Sequence, residues 1–155
     1  MTTSFRTIVC ATDLSPASLP AVRCAAKLAR SVGARVILAH AVPSAADLSV
    51  PHAMMPALAA PDMTLAAEEL RRGAHEELVE LAEKELGAEI EWEVVLGRGN
   101  AAEEVERIAR AKHADVVVIG THGRTGLSRV VLGSVAEAVV RRAPCAVLTV
   151  RSSLG

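Results

Sequence analysis

Five short apolar runs punctuate the chain, at Thr7–Ala11, Val36–Val42, Ile90–Leu96, Val116–Gly120 and Ala146–Val150, and helical patterns fill the intervals. Runs this short read as strands, and strict alternation with helices argues for an α/β fold. The expected architecture is an open five-stranded, mostly parallel sheet with helices on both faces. The material agrees. Apolar residues make up 51% of the chain, yet Phe5 and Trp92 are its only aromatics. Val, Leu, Ile and Ala must therefore build the interior, as in parallel sheets covered by helices. At 155 residues the chain reads as a single domain, 1–155.

The helical patterns carry start and stop signals. The first opens at Ser15-Pro16, an N-cap followed by proline at the first helical position, and stops at Gly33. Val22, Ala25, Ala26, Ala29 and Val32 form its apolar face. The second runs from Asp62 to Gly87, with Leu70, Ala74, Leu78 and Leu81 on one stripe and glutamates opposite. The third begins with a capping box at Asn100-Ala-Ala-Glu103 and presents Val105, Ile108 and Ala109. The fourth begins with a second box at Ser134-Val-Ala-Glu137 and stops before Pro144. One stretch breaks the rhythm: 43–61, rich in Pro, Ala and Met, reads as a flexible loop, either a lid or a mobile excursion.

Charge and cysteine usage narrow the function classes. Residues 1–95 hold 8 basic and 13 acidic side chains, and residues 96–155 hold 9 and 5. Most of the acidic excess falls between Glu68 and Glu93 and reads as a solvated helix face. Cys10, Cys24 and Cys145 are odd in number and set in apolar runs, so they read as small hydrophobes in a reducing compartment. No stretch approaches ~20 uninterrupted apolar residues, and Arg6 and Asp13 interrupt any leader-like run. The expectation is a cytoplasmic protein without a membrane partner. Nucleic acid is not expected either, because the basic residues are dispersed and aromatics for base stacking are nearly missing.

The most informative local feature lies at 120–134, GTHGRTGLSRVVLGS, which holds four of the ten glycines. It follows an apolar strand and runs into a helix, and it contains Arg124 and Arg129 with no carboxylate. Glycines let backbone approach a ligand, and a helix start offers unpaired N–H groups, so an anion such as phosphate suits the loop. Without a lysine it is no P-loop. A dinucleotide fingerprint would put glycines after the first strand, where Ala11-Thr12-Asp13-Leu14-Ser15-Pro16 has none. In open α/β sheets, ligands sit beyond the C-terminal strand ends, here Thr12-Asp13, His40-Ala41-Val42 and Gly120. His40 reads as structural. His52 with Met54 and Met55 has no second histidine or thiolate nearby, so no metal site is assigned.

The spacing Gly120-x2-Gly123-x9-Gly133-Ser134 resembles the nucleotide-binding signature of the universal stress protein family. The likeness covers nearly the whole chain. Ile8–Ser15 is similar to the family's opening strand and its acidic end, 36–42 to its second strand, Gly97–Asn100 to the turn before its third helix, and Ala143–Leu148 to its closing strand. It implies a Rossmann-like fold of the adenine nucleotide alpha hydrolase-like kind, and, with the glycines intact, membership of the branch that binds ATP, with or without Mg2+. By that resemblance Asp13 holds the ribose hydroxyls, and Thr12 and Ala41 meet adenine through main-chain groups. Gly120 lies against the ribose. Gly123 and Arg124 approach the phosphates, which Gly133, Ser134 and Val135 enclose, while Thr121 and His122 add hydrogen bonds. It also implies a homodimer paired through the last strand.

Two functional classes follow. One is a nucleotide-dependent stress-response and signalling module with slow or no hydrolysis, read by a protein partner that the sequence does not name. The other is an enzyme that hydrolyses ATP or transfers its adenylyl group, or else a cyclic-AMP-binding module. Hydrolysis needs an oriented water and a base, for which Asp13 and His122 are the only candidates near the loop. No catalytic residue is therefore assigned, and binding is the favoured reading. A third reading makes dimerisation itself the function, because the apolar last strand reads as an exposed sheet edge. Replacing Gly123 and Gly133 together by valine is expected to block phosphate approach and leave the sheet folded.

Overall fold

A computed structural model describes residues 4–44, 60–122 and 132–152. At its centre runs β1 (Thr7–Ala11), all five residues of which are buried. It pairs with β2 (Arg35–Val42) on one side and β4 (Val116–Gly120) on the other. β3 (Trp92–Arg98) extends the sheet beyond β2, and β5 (Ala146–Val150) extends it beyond β4. The order is β3-β2-β1-β4-β5 and every pairing is parallel, as the alternating pattern predicts.

Parallel neighbours need a crossover, and each one here is a helix. α1 (Leu19–Val32) and α2 (Ala60–Glu85) carry the chain outward from β1 to β3. α3 (Ala101–Ala111) brings it back past β1 to β4, and α4 (Ser134–Arg142) leads on to β5. Because the direction of travel reverses, crossovers of one hand put α1 and α2 on one face and α3 and α4 on the other. Two apolar clusters result. Val22, Leu78 and Leu86 pack with Ile8, Cys10, Leu38 and Val118 on the first face. Val105, Ile108 and Val139 pack with Val9, Ile37 and Val117 on the second. Fully burying one such Val, Leu or Ile is worth about 1.5–3 kcal/mol, so these layers dominate the stability.

Local signals explain most element ends. Gly33 closes α1 in the left-handed region at φ 70°, where its amide and that of Ala34 both reach the Ala29 carbonyl. The Asn100 side chain accepts from the Glu103 amide at 3.1 Å and caps α3 as expected. Asp115 pins the start of β1, its Oδ2 accepting from the amides of Arg6 at 2.8 Å and Thr7 at 2.9 Å. Those bonds hold its carboxyl below the usual aspartate range.

Several expectations need correction. β3 begins at Trp92 rather than Ile90: Ile90 is buried in the apolar cluster that α1 and α2 build with the sheet, and the Trp92 indole is anchored on the Gly87 carbonyl at 3.1 Å. Ser15 does not cap α1, because a 3-10 turn at Pro16–Ser18 intervenes and α1 starts at Leu19. Ser134 is not a cap either. It is the first residue of α4, Gly133 holds the N-cap position, and Glu137 pairs with Arg141 at 2.9 Å. Cys10 is buried, and burial pushes its thiol up to about 12, whereas Cys24 and Cys145 are only half-buried. The segment read as a flexible loop falls mostly outside the described residues, and α2 already begins at Ala60.

Candidate functional site

The reversal of strand order places β1 and β4 side by side with their connections leaving to opposite faces, and a crevice opens beyond their C-terminal ends. It has a volume of about 380 Å³. Thr12, Asp13, Ala41, Gly120, Thr121, His122, Gly133, Ser134 and Val135 all line it, so the structure brings together nine of the sequence-assigned residues. Gly123 and Arg124 lie outside the described residues.

One wall comes from β1 and its turn. The β1–β2 register ends at Ala11↔Ala39, and the Thr12 amide makes a last bond to the Ala39 carbonyl at 2.9 Å. Peptides along a strand alternate sides, so Ala41, two residues on, presents its N–H and C=O toward the space that β1 has vacated. That is a strand-edge pair of donor and acceptor facing the crevice. Thr12 is buried, and its Oγ1 shares a hydrogen bond with Ser18 Oγ at 2.7 Å and accepts from the Leu14 amide at 3.0 Å. Leu14 itself takes φ 64°, a left-handed conformation that is uncommon for a branched residue. The tight turn sets Asp13 at the mouth. His40 also lines the crevice, with its Nδ1 2.9 Å from the Thr12 carbonyl oxygen.

The opposite wall comes from β4 and α4. Thr121 is buried and joins three elements. Its amide donates to Val150 of β5 at 2.9 Å, its carbonyl accepts from Gly133 at 2.8 Å, and its Oγ1 lies 2.9 Å from His122 Nδ1. A Cβ on Gly133 would stand 2.9 Å from the Thr121 carbonyl oxygen, so glycine is required there by the protein's own backbone. Gly133→Val is therefore not the clean block of phosphate approach that the sequence suggests. Past Gly133, the first turn of α4, whose N–H groups have no intrahelical partner, lines the crevice, where a helix start favours an anion.

Sequence reading missed the third wall. Ala101, Val105 and Ile108 of α3 face the crevice, and their apolar spacing looked like core only. Glu104 lines it too. A hydrogen bond from Arg107, at 2.8 Å to Oε2, holds its carboxyl below the usual range and balances its charge. Ser15 does hold an N-cap position, that of the 3-10 turn, but its side chain is used elsewhere: its amide at 2.9 Å and its hydroxyl at 2.6 Å both donate to Asp13 Oδ1. Taken together, the crevice offers apolar walls for a flat ring, a strand-edge peptide for hydrogen-bonding the ring's rim, a carboxylate for hydroxyls and a helix start for an anion.

Known proteins share both the sequence and the shape. A universal stress protein of Methanocaldococcus jannaschii is 37% identical over 149 residues, 95% of this chain and 82% of that one. The solved hypothetical protein MJ0577 superimposes with a TM-score of 0.80 at 24% identity, covering 98% of this chain and 99% of that one. A universal stress protein solved in complex with cAMP has a TM-score of 0.63 at 25% identity, over 97% of this chain and 100% of that one. The family description "Universal stress protein family" matches residues 4–151, from just before β1 to just past β5. With all five strands and the crevice between them inside that match, the chain belongs to the universal stress protein family.

Proposed function

We propose that the crevice binds an adenine nucleotide, ATP foremost, and that the protein is a nucleotide-dependent stress-response and signalling module with slow or no hydrolysis. The carrying observation is the convergence of three unlike recognition elements on one 380 Å³ space: the Asp13 carboxylate, the strand-edge peptide of Ala41 and the start of α4. Each matches one part of the ligand. A carboxylate accepts from a ribose diol, a backbone N–H and C=O pair complements the N1 and 6-amino groups of adenine, and a helix start takes phosphate. Thr12 frames the base, Gly120 lets the ribose lie close, and Gly133, Ser134 and Val135 meet the phosphates, with Thr121 and His122 beside them. Gly123 and Arg124 complete the phosphate loop in this reading. Among the described residues no group of three His, Cys, Asp or Glu is placed to hold a metal ion, so Mg2+ would ride on the phosphates.

A module of this kind acts through partners. Among the described residues β5 is an edge strand, with Ala146, Leu148 and Thr149 exposed, and such an edge favours a second copy of the chain. Homodimerisation through β5 belongs to this reading, as does a cytoplasmic setting. Among the described residues no helix is long and apolar enough to cross a membrane.

Cyclic AMP is the second reading, supported by the relative solved with that ligand. Isothermal titration of nucleotide-stripped protein with ATP and Mg2+, then with cAMP, separates the two. Micromolar binding of ATP with negligible phosphate release on the same sample is the expected result. Tighter binding of cAMP transfers the site to the second reading, steady release makes the protein an enzyme, and no heat with either ligand overturns nucleotide binding.

A further inference from the structure

The turn between β1 and α1 contains a serine whose hydroxyl is used in an unexpected place. Ser15 stands where a helix cap belongs, before Pro16, yet it makes no capping bond. Its carbonyl takes the Ser18 amide at 3.1 Å and the Ser18 hydroxyl at 2.8 Å, which closes the turn without the Ser15 side chain. The Ser15 hydroxyl points backward instead, to Asp13 Oδ1 at 2.6 Å, beside the Ser15 amide on the same oxygen at 2.9 Å. Hydrogen bonds to an ionised acceptor are short and strong, and two on one oxygen restrain the carboxylate's rotation. The base of the turn is equally fixed, by the buried Thr12–Ser18 hydroxyl pair and by Leu14 in its left-handed conformation.

We propose that Ser15 is a positioning residue for ribose recognition: its hydroxyl holds Asp13 in the orientation that accepts the ribose hydroxyls, so the diol meets a carboxylate that needs no reordering. The inference rests on the nucleotide reading above and assigns a role to a side chain outside the phosphate signature. A carboxylate free to rotate would lose entropy on each binding event, and a prearranged one avoids that loss.

The test couples a protein change to a ligand change. Affinities for ATP, 2′-deoxy-ATP and 3′-deoxy-ATP are measured by titration with the parent, Ser15→Ala and Ser15→Thr. The parent is expected to lose about tenfold on at least one deoxy analogue, the scale of one hydrogen bond to a charged group. Ser15→Ala removes the hydroxyl bond, leaves the amide bond, and is expected to weaken ATP by up to about tenfold and to lower the ATP-to-deoxy ratio. Ser15→Thr keeps the hydroxyl and is expected to retain the parental ratio, which separates positioning from a fold defect. Equal weakening of all three nucleotides by Ser15→Ala, with the ratio intact, overturns the proposal and leaves the nucleotide site standing. A parent blind to both ribose hydroxyls removes the role of Asp13 and the proposal with it. A parent that binds none of the three removes the nucleotide reading itself.

Discussion

The amide of Gly133 lies 2.8 Å from the carbonyl of Thr121, and a Cβ at position 133 would stand 2.9 Å from that same oxygen. The contact ties the end of β4 to the start of α4. Gly133→Ala is expected to destabilise the fold by about 1–3 kcal/mol, the usual cost of overpacking. At about 2–4 °C per kcal/mol for a chain of this size, thermal denaturation resolves the loss readily. A variant as stable as the parent would show that the β4–α4 connection gives way easily.

Gly120 makes the opposite case. A Cβ there would meet the His122 carbonyl at 3.5 Å, ordinary contact, and the residue lines the crevice. Gly120→Ala is expected to keep stability within about 0.5 kcal/mol and to weaken ATP by about tenfold or more, because the added methyl occupies ligand space. Titration and thermal melts on one preparation check both halves. Parental affinity would place the ribose elsewhere.

Asp13 offers the most direct test of the ribose role. Asp13→Asn keeps an acceptor for Ser15 and removes the charge, so ATP affinity is expected to fall about 10–100-fold. The melting temperature should hardly change. An unaffected dissociation constant would leave the carboxylate a turn residue only.

Acid should loosen the start of the sheet. Backbone hydrogen bonds from Arg6 and Thr7 lower the Asp115 pKa, and Arg partners lower those of Glu85, Glu104 and Glu106. A depressed carboxyl stabilises the fold above its unfolded pKa of about 4, and that contribution disappears as pH falls through the folded value. Stability is expected to stay level, as far as these groups are concerned, from pH 7 to about 5 and to drop below about 4. Asp115→Asn should lower the melting temperature at pH 7, with the gap to the parent narrowing by pH 3. A constant gap across that range would assign the loss to packing.

Much of this was legible in the sequence. Short aliphatic runs define β1, β2 and β4, because a strand buried on both faces admits little else; β5 is apolar too but largely exposed, and Asn100 and Gly33 mark helix ends by local chemistry alone. What failed did so for tertiary reasons. Ile90 looks like strand but is buried in the apolar cluster that α1 and α2 build with the sheet. Ser15 and Ser134 have cap-like neighbours, but the hydroxyl of Ser15 is taken by Asp13, and α4 starts one residue earlier than its box implies. The α3 wall was hidden because Val105 and Ile108 serve core and crevice with the same side chains, and periodicity cannot tell the two apart.

Ala11, Ala39, Ala41, Ala101, Gly120 and Ala136 make up much of the crevice lining. Its room comes from side chains that are missing rather than from a cavity carved by polar groups. Space for the ligand is therefore a matter of subtraction, and only the groups that recognise it are added. Descendants of this chain can narrow or close the site one methyl at a time, while the hydrogen-bond ladder of the sheet and both aliphatic layers stay as they are. Loss of the ligand and loss of the fold are separate evolutionary events in such a molecule, and the first can happen many times without the second.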